Sequence, residues 1–310
     1  MRSRHYYSSA LLLLCSLAAY GQGCSDAGFC TIGTMKGGLD TAVDNVQQSS
    51  VGLSITGGYG EHGVLIISPQ LEASRSVGRH GVLEGKLPYN IASGNLGHHS
   101  GIGDPLVVYS HMLTSKPVLW RLAISGGVRI GINKADAMDR GHALPMPYQS
   151  GLGTTDIIAG VGAKFRHWLD VAIGYQQPLW QYNNNGYLPA TLYPSAANDS
   201  VYFASNRLRR KGDVLLRAEA SLQWHRWAAS TGPLLIWHLG EDRITLANGC
   251  TGYLQGSDGI TLNLSGTVTY SVGKMKLQLV AGTPFVVRNY RPDGLTRAWV
   301  TTLRYQYYFH

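Results

Sequence analysis

From about residue 50 to its end, the chain repeats one pattern: apolar and polar residues alternate, segment after segment. Successive side chains of a strand point to opposite faces, so a period of two gives each segment one apolar and one polar face. Ile260, Leu262, Leu264, Val268 and Tyr270 oppose Thr261, Asn263, Ser265, Thr267 and Thr269. Leu216, Ala218, Ala220, Leu222 and Trp224 oppose Arg217, Glu219, Ser221 and Gln223. The last segment, LTRAWVTTLRYQYYFH, sets Trp299, Thr301, Leu303, Tyr305, Tyr307 and Phe309 against Val300, Thr302, Arg304, Gln306 and Tyr308. Comparable segments start near residues 51, 83, 120, 157, 169 and 275, with weaker ones at 63–74, 102–114 and 226–240, giving about twelve strands. Pro69 has no N–H to give a ladder and demotes 63–74 as a central strand.

Alternation alone does not distinguish a soluble sandwich from a membrane barrel, because both have one wet and one dry face. Connection lengths distinguish them. Links at 114–117, 166–168, 225–226 and 271–274 are tight, whereas those at 90–104, 133–153, 178–213 and 240–257 are long. Outer-membrane barrels sort their connections this way, with short turns on the periplasmic side and long loops outside. An even strand count then returns the C-terminus to the periplasmic side. Trp299 and Phe309 bracket the apolar face of the last strand, as two headgroup girdles require. Composition agrees: 14% of residues are charged, against about 25% in ordinary soluble domains. A mean hydropathy of −0.06 is too polar for a helical bundle in lipid, but an alternating barrel averages to such a value. The expected fold is all-β: a transmembrane up-and-down antiparallel β-barrel over residues 51–310.

Residues 1–21 read as an export signal. Arg2 and Arg4 precede the short apolar run ALLLLCSLAAY, and Ala19 and Gly21 are small residues suited to cleavage before Gln22. Nothing after that run is long and apolar enough for a membrane helix. The basic excess is dispersed apart from Arg207-Leu208-Arg209-Arg210-Lys211, and with export this excludes nucleic acid as a partner. Cys15 leaves with the signal. Cys24 and Cys30 are expected to form a disulfide, since an exported chain permits one and five intervening residues do not suit a redox pair. Lipidation of Cys24 is the minor alternative, and the pairing state of Cys250 stays open. Residues 22–50 form either a plug in the lumen or a periplasmic lead.

Two internal blocks carry a family resemblance. SGIGDPLVVYSHML (100–113), followed by LAISGGVRIGINKA (122–135), and SGLGTTDIIAGVGAKF (150–165) resemble the Gly-rich strand openers of the outer-membrane proteins linked to the phenol meta-degradation pathway, relatives of FadL-like channels. The resemblance covers about residues 100–180, and Ile132-Asn133-Lys134 departs from the family's Pro-Thr-Gly. It implies the outer membrane of a Gram-negative bacterium, uptake of small organic molecules, and an N-terminal segment lodged in the lumen.

The polar phase supplies the candidate functional residues. Arg121, Arg129, Arg217, Lys276 and Arg304, against Glu84, Asp156, Asp170 and Glu219, either line an aqueous path and set its selectivity or pair with one another and fill a closed lumen. Asp104 is expected to pin a long loop by accepting backbone N–H bonds. His62, His80, His98 and His99 fall at different ends and do not converge on a metal, and no organic cofactor is indicated. A barrel hydrolase would need a nucleophile beside a histidine, for which Ser110, His111 and His238 are candidates. The favoured function is passive passage of small organic molecules by a monomer. Its expected partners are outer-membrane lipid, small-molecule cargo and, through the C-terminal strand, the barrel-assembly machinery. The alternatives are a non-conducting structural or interaction barrel that binds through long loops such as 181–213, and the hydrolase.

Overall fold

A computed structural model describes residues 31–36, 49–114, 119–189, 202–294 and 297–309. The export signal, Cys24 and Cys30 lie outside these described residues.

Twelve strands close into an antiparallel barrel. In chain order the strands are β1 (Ser49–Gly60), β2 (Leu65–Val77), β3 (Gly81–Gly94), β4 (Gly97–Ile102), β5 (Leu106–Met112), β6 (Trp120–Arg129), the two-residue β7 (Met138–Asp139) and β8 (His142–Ala143), β9 (Thr154–Phe165), β10 (Leu169–Gln181), β11 (Asp213–Trp224), β12 (Trp227–His238), the short β13 (Arg243–Thr245) and β14 (Thr251–Tyr253), β15 (Gly259–Val272), β16 (Met275–Val286) and β17 (Arg297–Phe309). The barrel runs β1, β2, β3, β5, β6, β9, β10, β11, β12, β15, β16, β17 and returns to β1. The β7–β8 and β13–β14 hairpins are decorations of two long loops.

The seam runs in register from Ser49 opposite Phe309 to Tyr59 opposite Trp299. Arg304, Gln306 and Tyr308 turn inward and are buried, whereas Leu303, Tyr305, Tyr307 and Phe309 are exposed on the outer wall. The same holds around the barrel, with Leu53 62% and Leu222 72% exposed. Such a belt is stable only against lipid, and closure leaves no strand edge unpaired inside it. Tyr59 and Trp299 pack edge to face at the loop end, 5.9 Å apart. Trp120, Phe165 and Trp168 cluster at the short-turn end.

Three connections differ from the sequence reading. The link at 90–104 is not a long loop: β3 continues to Gly94, turns, and pairs back with β4. The strand expected at 102–114 is broken at 103–105, so that β3 pairs with β4 near the loop rim and with β5 below it. Pro69 does lie in a central strand, paired with Ile55 of β1. The β2–β3 ladder skips Ser68 and Pro69, and Ser68 Oγ instead donates to Asn90 Oδ1 at 2.6 Å.

Candidate functional site

Part of the inner wall is apolar: Leu106, Val108, Ile158, Leu215 and Leu234 face inward in one patch. An apolar patch in a wet lumen needs cover, and residues 31–36 provide it. Ile32, just before a 3-10 turn at Gly33–Met35, and Met35, its last residue, are fully buried against this patch. Two inward glycines make room: a Cβ at Gly160 would stand 2.0 Å from Met35 Sδ, and one at Gly174 would stand 2.6 Å from Met35 Cγ. Polar bonds fix the segment. Gly33 N donates to Glu84 Oε2 at 2.8 Å, Thr34 and Ser125 share a 2.6 Å hydroxyl bond, and Lys86 Nζ donates to the Thr31 carbonyl at 2.7 Å.

The nine charged wall residues singled out from the sequence all lie on the inward phase of their strands. Arg129 pairs with Asp156, which also accepts from Gln176. Arg217 meets Glu219 at 3.5 Å, and Asp170 meets Lys164 at 3.5 Å. Arg304 Nε donates to Glu72 Oε1 at 3.0 Å, and Glu72 also faces Lys86 at 3.8 Å. Arg121 stands opposite Lys164 in register, and Lys276 lies over the Tyr308 ring at 4.9 Å, both near the short-turn mouth. The wall charges are thus paired inside the lumen: Arg129–Asp156, Lys164–Asp170 and Lys86–Glu72 across neighbouring strands, Arg217–Glu219 along β11, and Arg304–Glu72 over the width of β1. A buried charge is stable in this setting only when paired and hydrogen-bonded.

At the opposite rim the long loops form a roof with its own apolar core. Met146, Leu152, Leu188, Leu208, Ile244 and Leu254 are buried together there. Asp104 pins the roof to the strand break, accepting from Leu152 N at 3.0 Å and Ile132 N at 3.2 Å. Burial pushes its carboxyl up, opposing Arg129 and those N–H donors. Asp293, in the β16–β17 loop, takes Arg288 at 2.8 Å and Arg210, from the β10–β11 loop, at 3.3 Å. Burial opposes ionisation of Asp293, but the two guanidinium groups outweigh it and hold the carboxyl well below the usual range. His238 is gripped at both ring nitrogens, by Asp213 at 2.6 Å and Asp242 at 2.8 Å. A ring held by two carboxylates donates from both nitrogens, so this histidine carries a positive charge.

Between the luminal segment and the roof lies a cavity of about 130 Å³. Its charged lining is Lys86, Arg129, Arg217 and Arg304 against Asp104 and Asp293, with Leu106 and Leu234 among its apolar walls. Asn263, 2% exposed, also lines it, and both polar atoms of its amide lack a hydrogen-bond partner. Those two unpartnered atoms distinguish Asn263 from the paired charges around it.

The hydrolase candidates do not assemble. Ser110 faces the lumen beside Gly33, His111 bonds the Tyr109 hydroxyl at 3.2 Å near the short-turn rim, and His238 is locked in the roof network. Among the described residues no cluster of three or more His, Cys, Asp or Glu side chains could hold a metal. His99 bonds Ser150 Oγ at 2.9 Å, away from His80. Sequence reasoning missed the roof network, reading Arg207–Lys211 only as a basic run although Arg210 is a buried bridge. It also passed over Glu72 and Lys86 as a pair and Asn263 as a cavity residue.

No family model matches the chain, and no curated protein matches it. Among solved structures, the COG4313 outer membrane channel from Pseudomonas putida F1 is similar at a TM-score of 0.57 and 15% identity, over 84% of this chain and 95% of that one. A KdgM porin matches at 0.44 and 9% identity, covering 84% and 99% of the two chains, and the CymD monoaromatic hydrocarbon channel at 0.43 and 11%, covering 95% and 99%. The first likeness is one of fold. The other two are too distant to carry an argument.

Proposed function

We propose that this chain is a monomeric outer-membrane channel for passive passage of small organic solutes, narrowed from within by residues 31–36. The observation that carries this reading is the polar cavity enclosed between that segment and the loop roof inside a lipid-facing barrel. The barrel fold of the Pseudomonas putida channel supports it. The cavity suits a small amphipathic anion. The lining itself presents four cations against two carboxylates, since the partners Glu72, Asp156 and Glu219 stand outside it; the Asn263 amide offers a donor and an acceptor, and the leucines receive an apolar body. A cavity of about 150 Å³ accepts benzene, so the solute is of that size or smaller. Arg129, Arg217 and Arg304, near the middle of the path, set this preference, and Arg121 and Lys276 act at the short-turn mouth.

The test is single-channel recording of the mature chain in planar bilayers, paired with I32D/M35D. The expected result is small, anion-preferring steps that grow when the apolar grip of the luminal segment is lost. The competing reading is a non-conducting interaction barrel, favoured by a lumen occupied at both ends. Silence from a folded I32D/M35D barrel would decide for it.

A further inference from the structure

The two rims carry different charge. On the short-turn rim, Arg79 lies in the β2–β3 turn, Arg166 and His167 in the β9–β10 turn, His225 and Arg226 in the β11–β12 turn, and Lys274 in the β15–β16 turn. All six side chains are exposed. No exposed Asp or Glu lies on this rim among the described residues. The nearest acids, Glu84 and Asp170, point into the lumen toward Lys36 and Lys164. The loop rim is mixed, with exposed Asp136 and Asp258 among Lys134 and Arg140.

Turn chemistry does not require these side chains. Arg166 and His225 hold left-handed backbone, at φ 50° and 55°, where Gly or Asn is the easier residue. Gly78 and Gly273 take that conformation in two other turns of the same rim. Backbone bonds tie each turn to the adjoining strand, from Met112 N to His80 O, Ser221 N to Trp168 O, Ser271 N to Arg226 O, and Tyr308 N to Lys274 O, so the turns form a fixed collar. Immediately above it stand Phe165 with Trp168, 5.7 Å apart, and Trp227 with Tyr270, 4.7 Å apart. Aromatic belts of this kind lie at headgroup level, which sets the collar at the depth of the lipid phosphates.

We propose that this collar binds the phosphates of anionic phospholipid in the leaflet at the short-turn rim. Charge complementarity selects the occupant, because four cationic side chains at phosphate depth, Arg79, Arg166, Arg226 and Lys274, distinguish an anionic headgroup from a zwitterionic one. A cation at such a surface is worth about a fivefold gain in association, and the gain falls away as salt shortens the screening length.

The test uses the mature chain refolded into phosphatidylcholine vesicles containing brominated phosphatidylglycerol or, in parallel, brominated phosphatidylcholine. Quenching of tryptophan fluorescence reports the relative association of the two lipids, and Trp168, Trp224 and Trp227 lie beside the collar. The expected result is a preference of about fivefold or more for phosphatidylglycerol at about 0.01 M salt that disappears near 1 M. In a heat-modifiable R79Q/R166Q/R226Q/K274Q barrel the preference should vanish, while K134Q/R140Q on the other rim should keep it. Equal quenching by the two lipids in the unaltered protein overturns the proposal, as does a preference that survives the collar substitutions. An acidic protein bound by the collar instead would show as the first of these outcomes.

Discussion

Replacing Asp293 with Asn tests whether the loop roof is held by buried charge. Asp293 is 1% exposed and joins Arg288 to Arg210, a residue 83 positions earlier in the chain. Removing one member of a buried ion pair costs about 3–5 kcal/mol, because the remaining charges stay desolvated. Arg210 keeps Asp213 at 3.1 Å and Arg288 keeps the Ser257 carbonyl, which puts the loss at the low end, about 3 kcal/mol. That figure corresponds to about a 150-fold rise in local opening. The change belongs to the roof alone, so the assay is hydrogen exchange at two amides bonded across it: Tyr290 N to the Gly256 carbonyl and Leu254 N to the Asp242 carbonyl, each 2.9 Å. Both should exchange about 150-fold faster, with protection in the barrel strands unchanged. Acid acts in the same direction but late. With its carboxyl held below the ordinary value of about 3.9, Asp293 contributes its full stability above that value and loses it only as pH falls further, through the folded value. The roof of the unaltered protein should therefore stay protected at pH 5. Unchanged exchange in D293N would refute the reasoning, since the roof would then rest on its apolar core alone.

Leu303→Arg sets a charge on the lipid face between Ile55 and Leu279; it should cost about 2–4 kcal/mol in a barrel-unfolding titration. Asn263→Leu removes a buried amide without partners, so stability should hold or rise by about 1 kcal/mol while the anion preference of the conductance falls. Cys250 is exposed in the long β12–β15 loop and has no disulfide partner among the described residues, and a membrane-impermeant maleimide should label it on intact cells. Failure to label until the outer membrane is opened would reverse the assigned orientation.

The barrel was legible because its physics is local. A period of two is visible in any stretch of eight residues, and the sorting of turns from loops needs only counting. The β3–β4 hairpin was not legible, because Gly97, His98, His99 and Ser100 lack the apolar phase of a lipid-facing strand. That strand pair rises to the rim, where no apolar phase is needed. The inward phase of each lumen residue could be read, but its partner could not. Glu72 and Arg304 are 232 residues apart, and only closure of the sheet brings them together. The luminal segment left one unused sign in the sequence: Gly160, Gly162 and Gly174 all fall on the inward phase, where a wall that meets only water has no reason to omit its side chains.

That segment also bears on how the molecule is put together. Gly33–Met35 lies against β5, β6, β9 and β10, the arc of wall farthest from the β1–β17 seam. Its docking surface is therefore complete while the sheet is still an open, curling ribbon. The N-terminal residues can settle on that surface before the first and last strands meet, and the chain never has to thread a finished cylinder.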